Sequence, residues 1–231
     1  MDIKIKQKVL EKMYTIYEDF VDHNDFACQK HCTHCCTGNV TMTTLEGYFL
    51  LNNLDSATRT ELMQKLKQQE GIKRFTPRIT INGMADLCAR DQELPEEEND
   101  ENRGRCPVLN RNLCPLYSKR PFGCRCMVSR QNCGFIGYAD MPSWVISINN
   151  VLMQYIEHID AKGFSGNFTD IMFFLNDPKN VDDYAKDRLG TCPKPLLNNQ
   201  PVYILMVPPE DRSRLEPLLK AIRSIKIDGI S

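Results

Sequence analysis

Asp25–Gly38 reads DFACQKHCTHCCTG and places four thiols, Cys28, Cys32, Cys35 and Cys36, within nine residues, with His31 and His34 between them. A lone buried cysteine behaves as a small hydrophobe, and that reading suffices for Cys88 in the apolar MADLCAR. It does not suffice for a loop this dense in thiols. The chain of 231 residues carries eleven cysteines, an odd number, so complete disulfide pairing within it is impossible. The N-terminal MDIKIKQKVLEKMYTIYEDF mixes charges through its apolar positions and has neither the apolar core nor the cleavage site of a secretory signal. A cytoplasmic protein is expected, and in a reducing compartment clustered thiols bind metal or do redox work.

The partners of this loop stand about 70 residues downstream in CPVLNRNLCPLYSKRPFGCRCMVSRQNC. That stretch contains Cys106, Cys114, Cys124, Cys126 and Cys133 at spacings C-x7-C-x9-C-x-C-x6-C, against C-x3-C-x2-C-C in the first block. Close spacing lets one turn of backbone aim two sulfurs at one metal, and a distant segment completes the shell, as in zinc and iron–sulfur sites. Adjacent Cys35 and Cys36 point in different directions in most conformations: one ligates while the other serves a second metal, bridges, or packs. Nine thiols exceed the four that one site needs, which leaves open two sites or one centre with extra thiols nearby. Of the histidines, His31 and His34 could replace a thiol, whereas His23 and His158 read as helix-surface residues. Proline follows Cys106, Cys114 and Cys192, which stiffens a ligand loop; Cys192 has no assigned role.

Charge is distributed unevenly around these thiols. Asp91–Glu101 carries seven carboxylates in eleven residues and reads as a solvated, mobile loop. Arg103–Arg130 carries seven Lys or Arg and no carboxylate. Cations there are expected to offset thiolate charge and lower thiol pKa values; Arg120 and Arg125 are the candidates for a place beside the centre or an anionic ligand, while Arg111 and Arg130 read as solvated. The overall net charge of −1 argues against a general nucleic-acid binder, and no apolar run reaches the length of a membrane span.

Periodicity places helices around these blocks. Residues 2–22 repeat apolar side chains at helical spacing. Thr43 and Glu46 form a capping box before LEGYFLLNNL. Asp55 or Ser56 caps a helix running to about Glu70, stopped by Gly71, and 78–90 holds a helix or turn. Pro142 opens a long amphipathic helix to about Lys162. TDIMFFLN starts another near Thr169, and 209–226 closes the chain as a helix. PVYILMV, 201–207, reads as a strand. The expected architecture is one α+β domain over residues 1–231, predominantly helical, with short strands or hairpins and a metal-bound cysteine-rich loop core. Its motif segments are 28–50 and 106–133, and its C-terminal helical part is 142–231.

Cys28, Cys32, Cys35 and Cys36, then VTMTTLEGYFL, then CPVLNRNLCPLYSKRPFGCR, resemble the YkgJ-type cysteine-cluster proteins. These are described as zinc- or iron-chelating domains with a CxxCxxCC signature. Their pattern continues with an apolar segment ending in a Glu, then C-P-x-L, C-x-x-Y and R-P-x-x-C-R. Here Cys106, Pro107, Leu109, Cys114, Tyr117, Arg120, Pro121, Cys124 and Arg125 match it. The resemblance covers about 28–50 and 106–126, leaving Cys126 and Cys133 outside the pattern. It implies a bacterial or archaeal metalloprotein, and one related branch comprises flagellin lysine methylases thought to use an iron–sulfur cluster.

Four functional classes follow as expectations. The preferred one is an iron–sulfur protein, of the four-iron kind, with a redox or catalytic role, its metal ligands drawn from Cys28, Cys32, Cys35, Cys36, Cys106, Cys114 and Cys124, with Cys126 and Cys133 as further candidates. The others are a structural zinc protein, a methyltransferase like the flagellin lysine methylases, and a metal-trafficking or sensing protein. The methyltransferase class rests on the resemblance alone: GFIGYAD is not a G-x-G-x-x-G loop, and the chain is short for a radical-SAM barrel. Metal ions are the expected partners, alongside an unspecified protein or small molecule. No Ser-His-Asp set, phosphate loop or carboxylate pair is legible.

Overall fold

The computed structural model describes residues 1–97 and 104–226. Ten helices and three short strands follow one another among these residues. They are α1 (Ile3–Asp22), β1 (Thr41–Thr43), α2 (Thr44–Asn52), α3 (Ser56–Lys67), α4 (Ile81–Ala89), α5 (Phe122–Arg125), α6 (Cys133–Ile136), α7 (Ser143–Ile159), β2 (Phe164–Asn167), α8 (Phe168–Phe174), α9 (Pro178–Ala185), β3 (Leu197–Asn198) and α10 (Arg212–Arg223). The strands form one antiparallel sheet in the order β1-β2-β3, with Met42 opposite Gly166 and Ser165 opposite Leu197. The architecture is therefore α+β and mostly helical. No described helix is long and apolar enough to cross a membrane.

Most helix starts follow side chains visible in the sequence. Asp2 caps α1 by accepting the Lys4 N–H at 2.8 Å. Asp55 caps α3 through Thr58, and Asn167 rather than Thr169 caps α8. The Thr43–Glu46 capping box forms as read, both hydrogen bonds present. It sets the start of α2, a helix buried on nearly every side because it lies between two cores. Leu45 and Phe49 enter the first core, with Leu10, Met13 and Tyr17 of α1, Ile148, Leu152 and Ile156 of α7, and Leu215 of α10. Leu50 and Leu51 enter the second, with Leu62 and Leu66 of α3, Phe164 of β2, and Ile171 and Met172 of α8. Each such side chain removed from water contributes about 1.5–3 kcal/mol. Gly47 lets α2 and α8 approach: a Cβ there would stand 2.7 Å from Leu175 and 2.9 Å from Ile171.

Two expectations change. PVYILMV is not a strand. Proline at 201 and at 208 and 209 brackets it, and its backbone groups are satisfied by α7 side chains instead of a ladder. The Val202 N–H donates to His158 Nδ1 at 3.2 Å, the Met206 N–H to Gln154 Oε1 at 2.8 Å, and Gln154 Nε2 donates to the Ile204 carbonyl at 2.7 Å. The segment is a strap across α7 that buries its apolar side chains only in part and leaves Tyr203 exposed. Cys88 is exposed near the end of α4, not buried as a small hydrophobe, because the inward face of that helix is taken by Asn82, Gly83 and Ala85. Of the acidic run, 91–97 is largely exposed and Glu97 accepts the Arg78 N–H at 3.0 Å; the remainder of the run, with Arg103, lies outside the described residues.

Candidate metal centre

The first thiol block occupies the loop between α1 and β1. Two turns shape it: the Cys32 N–H donates to the Gln29 carbonyl at 3.0 Å and the Cys36 N–H to the Thr33 carbonyl at 3.1 Å, with His31 in the left-handed region at φ 79°. The loop then meets the second block in a short antiparallel contact. Thr37 pairs with Arg105, the Cys106 N–H donates to the Cys36 carbonyl at 3.0 Å and the Gly38 N–H to the Gly104 carbonyl at 2.9 Å. In that register Cys36 and Cys106 stand directly across from one another.

A tight hairpin explains the C-x7-C spacing. Asn110 and Leu113 exchange both backbone hydrogen bonds at 2.9 Å, with Arg111 at φ 52°. The chain therefore doubles back and returns Cys114 toward Cys106. Both thiols pack against the second core, whose Val108 and Leu116 come from the same stretch.

Cys124 is fixed by α5. The Phe122 N–H at the start of this helix donates to Glu46 Oε1 at 2.7 Å. Gly123 lies so close to β1 that a Cβ would stand 2.7 Å from the Thr41 carbonyl. Arg120 stacks on Tyr117 with 3.9 Å between guanidinium and ring centroid and donates to the Tyr117 carbonyl at 2.8 Å. Arg125 is buried over the Tyr14 ring and donates to the Arg120 and Ser118 carbonyls, each at 2.8 Å, and to the Glu18 carboxylate. Of the two candidate arginines, Arg125 thus spends its donors shaping the 117–125 turn, whereas Arg120 remains beside the thiols.

All seven expected ligands, Cys28, Cys32, Cys35, Cys36, Cys106, Cys114 and Cys124, line one cavity of about 910 Å³, together with Arg120, Arg125, Tyr17 and Glu18. Behind it, Cys106, Cys114, Cys124 and Arg120 also line a recess of about 40 Å³. Cys126 lies instead in the first core and donates to the Gly123 carbonyl at 3.5 Å. Cys133 opens α6, where His34 Nε2 rests against Gly134 so closely that a Cβ there would stand 2.7 Å from it. Both His31 and His34 are exposed, as are His23 at the end of α1 and His158 on α7. Cys192 packs partly against the second core.

Among the described residues, no three Cys, His, Asp or Glu side chains gather tightly enough to ring a single ion. By chemistry the donors suit zinc or an iron–sulfur group, both of which take thiolates from separated segments. Without a cation Cys106, Cys114 and Cys124 are held neutral. Burial raises the Cys106, Cys114 and Cys124 thiols, and for Cys124 the neighbouring Cys106 and Cys114 add to it. Arg120 pulls Cys114 and Cys124 the other way without overcoming burial, so the cationic stretch does not lower these thiol pKa values overall as the sequence suggests. Cys126 is pushed up to about 12, first by burial and then by Glu46. Cys35 and Cys36 form an unequal pair: the hydrogen bond between them raises Cys35, with burial second, and lowers Cys36, making Cys36 the readier thiolate.

Two features of the site escape a reading by motif. Glu46 was legible only as a capping residue. Its carboxylate is fully enclosed and accepts from Tyr14 Oη at 2.9 Å, the Thr43 N–H at 2.8 Å and the Phe122 N–H at 2.7 Å, joining α1, α2 and α5. The signal was present as a lone carboxylate inside the apolar LEGYFLL. The Glu18–Arg125 pair carried none, being 107 residues apart. Cys28, Cys32 and Cys35 do stand at the C-x3-C-x2-C spacing expected of radical-SAM enzymes, but three short antiparallel strands are no barrel. Comparison with protein-family models, curated proteins and solved structures returned no match.

Proposed function

We propose that this protein is a thiolate metalloprotein of the kind the YkgJ-type resemblance implies, carrying an iron–sulfur cluster of the four-iron type with a redox or catalytic role. The observation that supports this reading is that Cys36, Cys106, Cys114 and Cys124, from separate turns of chain, line one cavity, with Cys36 facing Cys106 across an antiparallel contact. An iron–sulfur group bound there supplies one-electron chemistry. The chain's own residues set its surroundings. Arg120 brings positive charge toward thiolates whose ionisation burial opposes. Val40 and Leu116 give the recess behind Cys106, Cys114 and Cys124 its apolar lining. Cys36, the lowered thiol of its pair, would offer the readiest thiolate to a metal held there.

The test is metal and acid-labile sulfide analysis, with an ultraviolet–visible spectrum, on protein purified without oxygen. Iron and sulfide in equal amounts, with absorbance near roughly 400 nm from thiolate–iron charge transfer, are expected. Stoichiometric zinc without sulfide or colour, persisting after anaerobic reconstitution, refutes the proposal in favour of a structural clip.

A further inference from the structure

Apart from sulfur, the recess behind Cys106, Cys114 and Cys124 is walled chiefly by the apolar Val40, Val108 and Leu116. Val108 and Leu116 belong to the second core, which holds that wall in place. The polar groups around the recess already have partners. The Thr37 hydroxyl accepts the Asn39 N–H at 3.3 Å, and the Gly38 N–H and carbonyl bond to Gly104 and Asn167, each at 2.9 Å. The Arg120 guanidinium stacks on Tyr117 and donates to its carbonyl. Among the described residues no buried side-chain nitrogen or oxygen lacks a hydrogen-bond partner. A cavity water needs about two to four polar partners, and an apolar wall whose polar neighbours are engaged does not supply them. The volume of about 40 Å³ is a few times the roughly 10–15 Å³ that one water requires. An apolar space of this kind stays dry and takes up small apolar molecules.

We propose that this recess binds a neutral diatomic gas, of the class of dioxygen and nitric oxide, and holds it against the sulfurs of Cys106, Cys114 and Cys124. Size excludes anything much larger. Charge excludes an ion. Arg120 is the one charged side chain lining the space, and its guanidinium is already directed to Tyr117. An anion there would give up its water shell, which is costly without full pairing. A diatomic gas is instead driven out of water by the effect that buries a methyl group. Val40, Arg120 and the three cysteines line both this recess and the large thiol cavity. A gas molecule in the recess therefore stands one side chain away from whatever the cavity holds. What it meets there rests on the function proposed above; its binding rests on the chain's own residues alone. The recess thus gives the centre a second face, selective for small size and absence of charge, beside a cavity of about 910 Å³ that admits larger molecules.

The experiment is xenon pressurisation of crystals of the full chain grown without oxygen. Xenon is located by its anomalous scattering, and carbon monoxide serves as a diatomic competitor. Xenon is expected between Val40, Val108, Leu116 and the three sulfurs, and carbon monoxide is expected to reduce its occupancy. Val108→Ile and Val40→Ile each add a methyl group against the recess. Both are expected to keep the parent's melting temperature and to lose the xenon peak. An ordered water in the recess, a bromide ion there after a bromide soak, or no xenon at all overturns the gas site. So does xenon that carbon monoxide does not displace, or that persists undiminished in both variants. Melting of both variants well below the parent shows a space already filled and overturns it too. Metal and sulfide analysis of the same preparation keeps the two proposals apart. Xenon bound in a zinc protein without sulfide leaves the gas site standing and removes the iron–sulfur reading; iron and sulfide without xenon do the reverse.

Discussion

Replacing Glu46 by Ala tests whether the thiol segments are positioned by the carboxylate beneath them. Its Oε1 accepts from Tyr14 and from the Phe122 N–H, and its Oε2 from the Thr43 N–H and hydroxyl. Truncation leaves three buried donors, the Tyr14 hydroxyl and the two backbone N–H groups, without acceptors. Each orphaned donor costs about 1–3 kcal/mol. The costs do not add fully, since a cavity of about 90 Å³ adjoins Glu46 and water entering it restores part of the bonding. A net loss of about 3–5 kcal/mol follows. With a urea m-value of about 2–3 kcal/mol/M, the unfolding midpoint drops by about 1–2 M at unchanged m. Because the lost bond to Phe122 seats α5, the variant also retains less metal per chain. Glu46→Gln keeps the shape and one acceptor and costs less. The two variants further separate on pH. Burial raises the Glu46 pKa, so its stabilising contribution is full below the unfolded value near 4.3 and is lost as pH rises through the folded value. Glu46→Gln removes that slope. An Ala variant within about 1 kcal/mol of the parent, set against the loss expected for three orphaned donors, refutes the reasoning.

Two further outcomes are expected. Cys126→Ala lowers stability by roughly 1 kcal/mol, a small core truncation, and leaves the metal content of oxygen-free preparations unchanged, whereas Cys124→Ala reduces it; metal analysis beside urea unfolding separates the two. Asp160 accepts from Thr44, Leu45, Tyr184 and Asn199 and is raised to about 6 by burial. Its stabilising contribution is full below pH ~3.9 and is lost as pH rises through about 6, a change on the order of 3 kcal/mol. Asp160→Asn removes that change from the difference between melts at pH 4 and 7.

Where a local rule governs, the sequence was enough. The Thr43–Glu46 box, the Asp55 cap and the apolar stripes of α1 and α7 each depend on residues within a turn or two of one another, and each forms. PVYILMV failed because its pattern reports only apolar β-branched composition, and strand or strap depends on what stands beside it. Gln154 and His158 supply the hydrogen bonds a neighbouring strand would have given. Cys88 failed similarly: an apolar context did not specify which face of α4 is inward. At the site, thiol spacing led to the residues that line the cavity, because a loop that turns every three or four residues gathers its cysteines locally. It did not reveal that Arg120 and Arg125 part company, since that depends on Glu18 and Tyr14 across the fold.

The way the two blocks are joined bears on what a metal there is for. A structural zinc earns its stability by bringing distant segments together, yet here other bonds already do so. The Cys36–Cys106 and Gly38–Gly104 backbone hydrogen bonds close the long connection between the blocks, and Asn167 reinforces the junction by donating to the Gly38 carbonyl at 2.9 Å. Glu46 and Gly123 seat Cys124 without reference to sulfur. Seven thiols nonetheless line one cavity, where burial disfavours the ionisation of Cys106, Cys114 and Cys124. A scaffold already held together by carboxylate and backbone bonds does not need these thiols as its only clip, which is why the function proposed above gives them a redox or catalytic group rather than a structural zinc.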